Sequence, residues 1–168
     1  MPNATAKGIG FLALIALGCG ALLATTDRLT AQRIASNKHA HELKQTAELI
    51  GMPPATEPRW QAGVWQLCNG IDLIKAQTTG YGGPIVALVA RRDGKLHGLR
   101  VTAHQETPGI ADFVARPNDP WRKRLRQHTS RDLATFDTVS GATITSKALL
   151  GLVQDALAQD LAPGQCDP

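Results

Sequence analysis

The distribution of apolar and polar positions divides the chain into three stretches with different periodicities. Residues 8–26 (GIGFLALIALGCGALLATT) carry no charge and no proline. As a helix rising about 1.5 Å per residue, this block nearly matches a hydrocarbon core about 30 Å thick. It predicts a single transmembrane helix behind a short tail, residues 1–7. A cleaved secretory signal ending near Ala24-Thr25-Thr26 and a lipoprotein signal ending at Leu17-Gly18-Cys19 compete for the same residues. The block is long for a signal-peptide core and neither cleavage sequence is well formed, so the retained anchor is preferred. In residues 27–50 the apolar positions Leu43, Ala47 and Ile50 recur at helical spacing among charged and amide residues. This spacing predicts a helix that continues out of the membrane and stops at Gly51, ahead of Met52-Pro53-Pro54. Residues 27–59 thus read as a juxtamembrane helix and linker, and 60–168 as the folded domain.

Within that domain, alternating or short apolar runs predict strands at 64–67, 71–76, 85–90, 96–103 and 135–139. Arg92-Asp93-Gly94-Lys95 between two such runs predicts a tight hairpin, because glycine takes positive φ without steric cost, so the flanking strands are antiparallel neighbours. A nucleotide-binding parallel sheet is excluded: Gly80-Tyr81-Gly82-Gly83-Pro84 precedes a strand where that fold needs a helix. Beyond Ser140 the spacing turns helical, with Leu149, Leu150, Val153, Ala156 and Leu157 on one face. The expected class is α+β, with a mostly antiparallel sheet and flanking helices behind one transmembrane helix.

Composition narrows the range further. At 168 residues, with 43% hydrophobic and 19% charged positions, the chain is one domain plus an appendage rather than a disordered or disulfide-dense chain. Lys7 precedes the apolar block while Asp27, Arg28, Arg33 and Lys38 follow it, so local charge does not set the orientation. Of the three cysteines, Cys19 lies inside the span; Cys68 and Cys166 can pair in an oxidising compartment or stand as two thiols. The basic run Trp121-Arg122-Lys123-Arg124-Leu125-Arg126, with Arg131, reads as a solvated helix face. Its functional alternatives are an anionic lipid surface or the acidic face of a neighbouring subunit. A membrane anchor argues against nucleic acid as the partner. The histidines and cysteines match no standard metal-ligand spacing.

The segment Asp137-Thr138-Val139-Ser140-Gly141-Ala142-Thr143-Ile144-Thr145-Ser146 joins a strand end to a helix start through small residues. The first N–H groups of a helix lack intrahelical partners and sit at the positive end of its dipole, so a phosphate near Thr143 would meet several donors. Gly141 and Ala142 leave room for close approach. The plainer alternative is that Ser140, Thr143 or Thr145 only caps the helix.

This segment resembles the flavinylation motif of membrane-anchored FMN-binding domains, where the threonine matching Thr143 carries FMN through a phosphoester. Gly80-Tyr81-Gly82-Gly83-Pro84-Ile85, Gly98-Leu99-Arg100-Val101 and His104-Gln105-Glu106-Thr107-Pro108-Gly109 agree with the same family in the same order. With the anchor, the resemblance spans nearly the whole chain. It is strongest to the G subunits of Rnf (Rsx) ion-translocating electron transport complexes, which have a cousin in the sodium-pumping NADH:quinone oxidoreductase. Where that family continues Leu-Gly-Asp after the Pro-Gly pair, this chain has Ile110-Ala111-Asp112, keeping the acid and losing a glycine.

The resemblance implies a set of roles. Covalent FMN sits on Thr143, with Ser140, Gly141, Ala142 and Thr145 around the attachment. Glu106, Thr107 and Gly109 form a loop against the flavin, and Tyr81 is a candidate to stack on the ring. Lys147 either faces the phosphate or is solvated, and Asp137 either supports the motif or ends a strand. A threonine hydroxyl is a poor nucleophile with no histidine or lysine fixed beside it in sequence, so a separate flavin transferase is implied, working with FAD and magnesium. The implied activity is that of a non-autonomous electron-carrier subunit, in a complex of the ferredoxin/NAD type or one that reduces a redox-sensing regulator. The implied place is the bacterial inner membrane, with the C-terminal domain periplasmic, other subunits as partners and lipid around the anchor. Two alternatives stand beside it: a stand-alone flavinylated module of another extracytoplasmic reductase, and a non-redox anchored binding protein.

Overall fold

A computed structural model describes residues 3–51, 58–116 and 118–161. The elements in chain order are α1 (Asn3–Ile50), β1 (Val64–Gln66), β2 (Ile71–Thr79), β3 (Pro84–Arg92), β4 (Lys95–His104), α2 (Asp112–Ala115), α3 (Pro120–Arg124), α4 (Ser130–Leu133) and α5 (Thr143–Ala158). The chain divides into two compact units, Met1–His41 and Glu42–Pro168. The first is helical along its described length and holds the apolar block, the one described helix long and apolar enough to cross a membrane. Ile9, Phe11, Leu14 and Leu17 are exposed along it.

The second unit begins with the last turns of α1. That helix stops where Gly51 turns to a φ of 79° and its N–H reaches the Ala47 carbonyl at 2.9 Å, a left-handed cap that glycine adopts without strain. The four strands form one antiparallel sheet in the order β1-β2-β3-β4. Asp93 and Gly94, both at positive φ, make the tight β3–β4 turn that the Asp-Gly pair predicts. Alternation sorts the side chains onto two faces. Leu73, Leu88 and Ala90 pack on one side with Trp65, Leu67 and Ile71, and there Leu49 and Ile50 from α1 complete a small core. Gly98 admits that helix, since a Cβ there would strike the Leu49 side chain, and Arg100 pairs with Glu48 beside it. The opposite face carries the larger core: Ile74, Ile85, Ala87, Val89, Leu99 and Val101 against α5, α3 and the loops between. The α5 face predicted from sequence is the buried one, including Leu149, Leu150, Val153, Ala156 and Leu157. Side chains of this size each gain about 1.5–3 kcal/mol on full burial, which makes α5 the principal cover of the sheet.

One predicted strand is absent. Residues 135–139 pair with no strand, and their backbone groups are met by side chains and a turn instead. The Asp137 carbonyl accepts from the Trp121 indole at 2.7 Å, the Val139 N–H donates to Ser146 Oγ at 3.2 Å, and the Val139 carbonyl accepts from Ala142 N at 3.1 Å. With those partners supplied, an extended ladder is not needed to keep the groups satisfied. The basic run also divides: Trp121, Arg122 and Leu125 are buried, and Lys123, Arg124 and Arg126 are exposed.

Candidate functional site

The segment before α5 forms a turn. Val139-Ser140-Gly141-Ala142 closes through the Ala142 N–H to Val139 carbonyl bond, and Gly141 at φ 78° occupies the third position, which favours glycine. Ser146 stitches this turn to the helix, donating to the Ala142 carbonyl at 2.9 Å while accepting from Val139 N. The N-cap of α5 is Ala142, which provides no capping side chain. Ser140, Thr143 and Thr145 therefore do not cap, and the first N–H groups of a sixteen-residue helix are left without that service. Thr143 is the first helical residue and is exposed; its hydroxyl has no hydrogen-bond partner among the described residues.

Against this helix start lies a cavity of about 440 Å³, lined by Tyr81, Glu106, Thr107, Ile110, Ala111, Gly141, Ala142, Thr143, Ile144 and Thr145. Three loops distant in sequence converge there. The β2–β3 turn brings Tyr81 into position, closed by Gly80 N–H to the Gly83 carbonyl at 2.8 Å. The loop after β4 brings Glu106 and Thr107. The turn Thr107-Pro108-Gly109-Ile110 takes the ordinary shape expected of Pro-Gly, with Gly109 at φ 86°, and Asp112 fastens it by accepting from Gly109 N at 2.7 Å. The acid that persists in Ile110-Ala111-Asp112 thus holds the loop.

Glu106 and Thr145 are buried, at 6% and 2% exposure, and joined. Thr145 Oγ1 donates to Glu106 Oε2 at 2.6 Å and accepts from Tyr81 N at 3.3 Å, while Glu106 Oε1 accepts from Gly82 N at 3.1 Å. At the rim, Tyr81, Ile110 and Ile144 are 76%, 59% and 58% exposed, which is unusual for large apolar groups gathered in one place. The cavity therefore has a polar end at the helix start and an apolar mouth. Its volume falls in the range of small-ligand pockets, about 300–1,000 Å³, and this pairing suits an anionic phosphate joined to a flat aromatic ring.

Of the residues singled out from sequence, Tyr81, Glu106, Thr107, Gly141, Ala142, Thr143 and Thr145 meet at the cavity. Ser140, Gly109 and Lys147 do not line it; Lys147 is exposed. Asp137 borders a separate open groove with Arg124, His128 and Phe136. Cys166 lies outside the described residues, Cys68 is exposed, and Cys19 is a free, exposed thiol. Among the described residues no His, Cys, Asp and Glu cluster is arranged to hold a metal. Ile110 and Ala111, in sequence only a departure from the family's Leu-Gly, line the cavity too, as does Ile144. Their signal, an exposed isoleucine in a turn and another in a helix's first turn, gains meaning only when the loops are brought together.

Comparison with known proteins finds two family matches along the chain. Residues 80–158 match the model of the FMN-binding domain, which contains every lining residue of the cavity, and residues 1–49 match the RnfG N-terminal region. The G subunit of the ion-translocating oxidoreductase complex of Stutzerimonas stutzeri is 37% identical over 92 residues, covering 48% of this chain and 40% of that protein. Its counterpart in Pseudomonas aeruginosa strain UCBPP-PA14 is 33% identical over 122 residues, 66% of this chain and 56% of the relative. That of Shewanella loihica aligns over 94% of this chain and 90% of its own length at 26% identity. The chain thus spans about 40% and 56% of the lengths of the first two relatives. With a match to the RnfG N-terminal region followed by one to the FMN-binding domain, the chain is similar to these G subunits along most of its length.

Proposed function

We propose that this chain is a membrane-anchored electron-carrier subunit of an ion-translocating oxidoreductase complex, with FMN held on Thr143 through a phosphoester. The observation that carries the reading is the position of Thr143. Its unpartnered, exposed hydroxyl opens the first turn of an uncapped helix at the edge of a cavity that is polar at one end and apolar at the other. The free N–H groups of that turn would receive the phosphate, and Gly141 and Ala142 keep the approach clear. Tyr81, Ile110 and Ile144 would border the ring, with Glu106 and Thr107 on the cavity wall. The flavin supplies the redox chemistry when bound, and the protein sets its place and potential.

Attachment needs help from outside. Among the described residues no base meets the Thr143 hydroxyl, so a flavin transferase with FAD and magnesium would form the bond from the Thr143 oxygen to the FMN phosphorus. The phosphoanhydride bond breaks, AMP departs, and the hydroxyl proton passes to the transferase. Asp137, on the exposed approach to the motif, is the residue we assign to that encounter. The apolar segment 8–26 would anchor the subunit in the bacterial inner membrane, in contact with lipid, with the domain periplasmic beside the other subunits. There Cys68 and Cys166 would pair.

The test is intact-mass spectrometry with in-gel flavin fluorescence on exported protein co-expressed with a flavin transferase. The wild type is expected to gain the mass of an FMN phosphoester, and Thr143→Ala to lose both mass and fluorescence. A wild type without the adduct would return the chain to a non-redox anchored binding protein.

A further inference from the structure

We propose that Glu106 is a positioning residue that latches the Tyr81 turn to α5 and whose buried negative charge holds down the reduction potential of the bound flavin. The inference rests on the flavin-carrier reading and adds what governs the potential. Glu106 belongs to no helix or strand, yet the residue is 6% exposed and lines the cavity. Both oxygens act as acceptors, Oε1 from Gly82 N–H at 3.1 Å and Oε2 from the Thr145 hydroxyl at 2.6 Å. Thr145 in turn accepts from Tyr81 N–H at 3.3 Å, so three bonds link the turn, the loop after β4 and α5. The glycines of the turn make this closure feasible. A Cβ on Gly80 would strike Glu106 Oε1, and one on Gly82 would strike the Gln105 carbonyl.

The charge is satisfied but not cancelled. Both donors are neutral, and among the described residues no lysine, arginine or histidine reaches Glu106 to form an ion pair. A carboxylate withdrawn from water and lacking a cation acts over a longer range than a solvated one, because the protein screens it less. Placed on the wall of a flavin cavity, it opposes the arrival of electrons. The Thr145 hydroxyl and Gly82 amide fix where that charge sits, which a mobile surface acid would not achieve.

The test uses full-length protein loaded by a flavin transferase and titrated spectroelectrochemically in neutral to mildly alkaline buffer. Glu106→Gln, close in shape but uncharged, is expected to raise the flavin midpoint potential. A potential equal to or below the wild type overturns the proposal. Thr145→Val keeps the charge and removes one neutral donor, so its potential is expected at or below that of the wild type; a rise overturns the charge account even where Glu106→Gln fails to fold. In flavin-free protein, the Gly82 amide is expected to exchange slowly and to quicken in Glu106→Ala, and unchanged exchange overturns the latch. A wild type that acquires no flavin sinks the carrier reading instead. A loaded wild type whose potential does not rise in Glu106→Gln leaves that reading standing and removes this one.

Discussion

Arg122 is buried, at 4% exposure, and its guanidinium is held by three carbonyls rather than by a carboxylate. It donates to Leu99 at 2.6 Å, Val114 at 2.9 Å and Arg116 at 3.1 Å, joining β4 to α2 and the residue that follows it. Its pKa is pushed down to about 10, first by loss of water and then by Arg100, with Asp119 opposing and Arg126 adding to the shift. Its Nε alone finds no partner among the described residues. Removing the group strands three buried acceptors at once, so Arg122→Met is expected to cost about 2–4 kcal/mol, measured by chemical denaturation at neutral pH. A loss below about 0.5 kcal/mol, the range of ordinary surface substitutions, would show that water replaces the guanidinium. Thr143 and Tyr81 could be read from sequence because a motif and a glycine run mark them. Arg122 could not, since nothing in a run of four basic residues says which one turns inward.

Among the elements, α4 is only four residues long and depends on its cap. The Thr129 hydroxyl accepts from Asp132 N, and Asp132 Oδ2 accepts from both Thr129 N at 2.8 Å and Thr129 Oγ1 at 2.7 Å. The backbone bond, then the side-chain bond, holds the Asp132 carboxyl below its ordinary value. A carboxyl lowered on folding contributes stability above its unfolded pKa, here 3.8, and loses it as pH falls through the folded value. Asp132→Asn should therefore melt below the wild type at neutral pH, and the two curves should converge in acid; a gap that persists in acid would trace the loss to geometry instead. The cap also explains the missing strand. Once α4 begins at Ser130 and ends at Leu133, residues 135–139 are left to lead into α5, where Trp121 and Ser146 take up their backbone groups. The hairpin at Asp93-Gly94 was legible because its signal is local, whereas the fate of 135–139 depends on a tryptophan and a serine outside the segment.

At the scale of the molecule there are two units, one an apolar helix and the other a compact domain whose cavity is assembled from three loops. The proposed periplasmic placement is tested by protease on spheroplasts. The C-terminal domain should be digested from outside in intact spheroplasts, and protection until lysis would place it in the cytoplasm. What the sequence determined by itself are the features set by near neighbours: the apolar block, the glycine stop of α1 at Gly51, the Asp-Gly hairpin, the buried face of α5 and the turn leading to Thr143. Each follows from periodicity or from the backbone freedom of one residue. Long-range packing alone makes Glu106 and Thr145 share a hydrogen bond across 39 positions of sequence separation, brings Ile110 and Ile144 to one cavity and turns Arg122 into a strut. Those outcomes depend on which distant groups are brought together as water is excluded, and a polar side chain's role inside a protein is set by the partner it finds there.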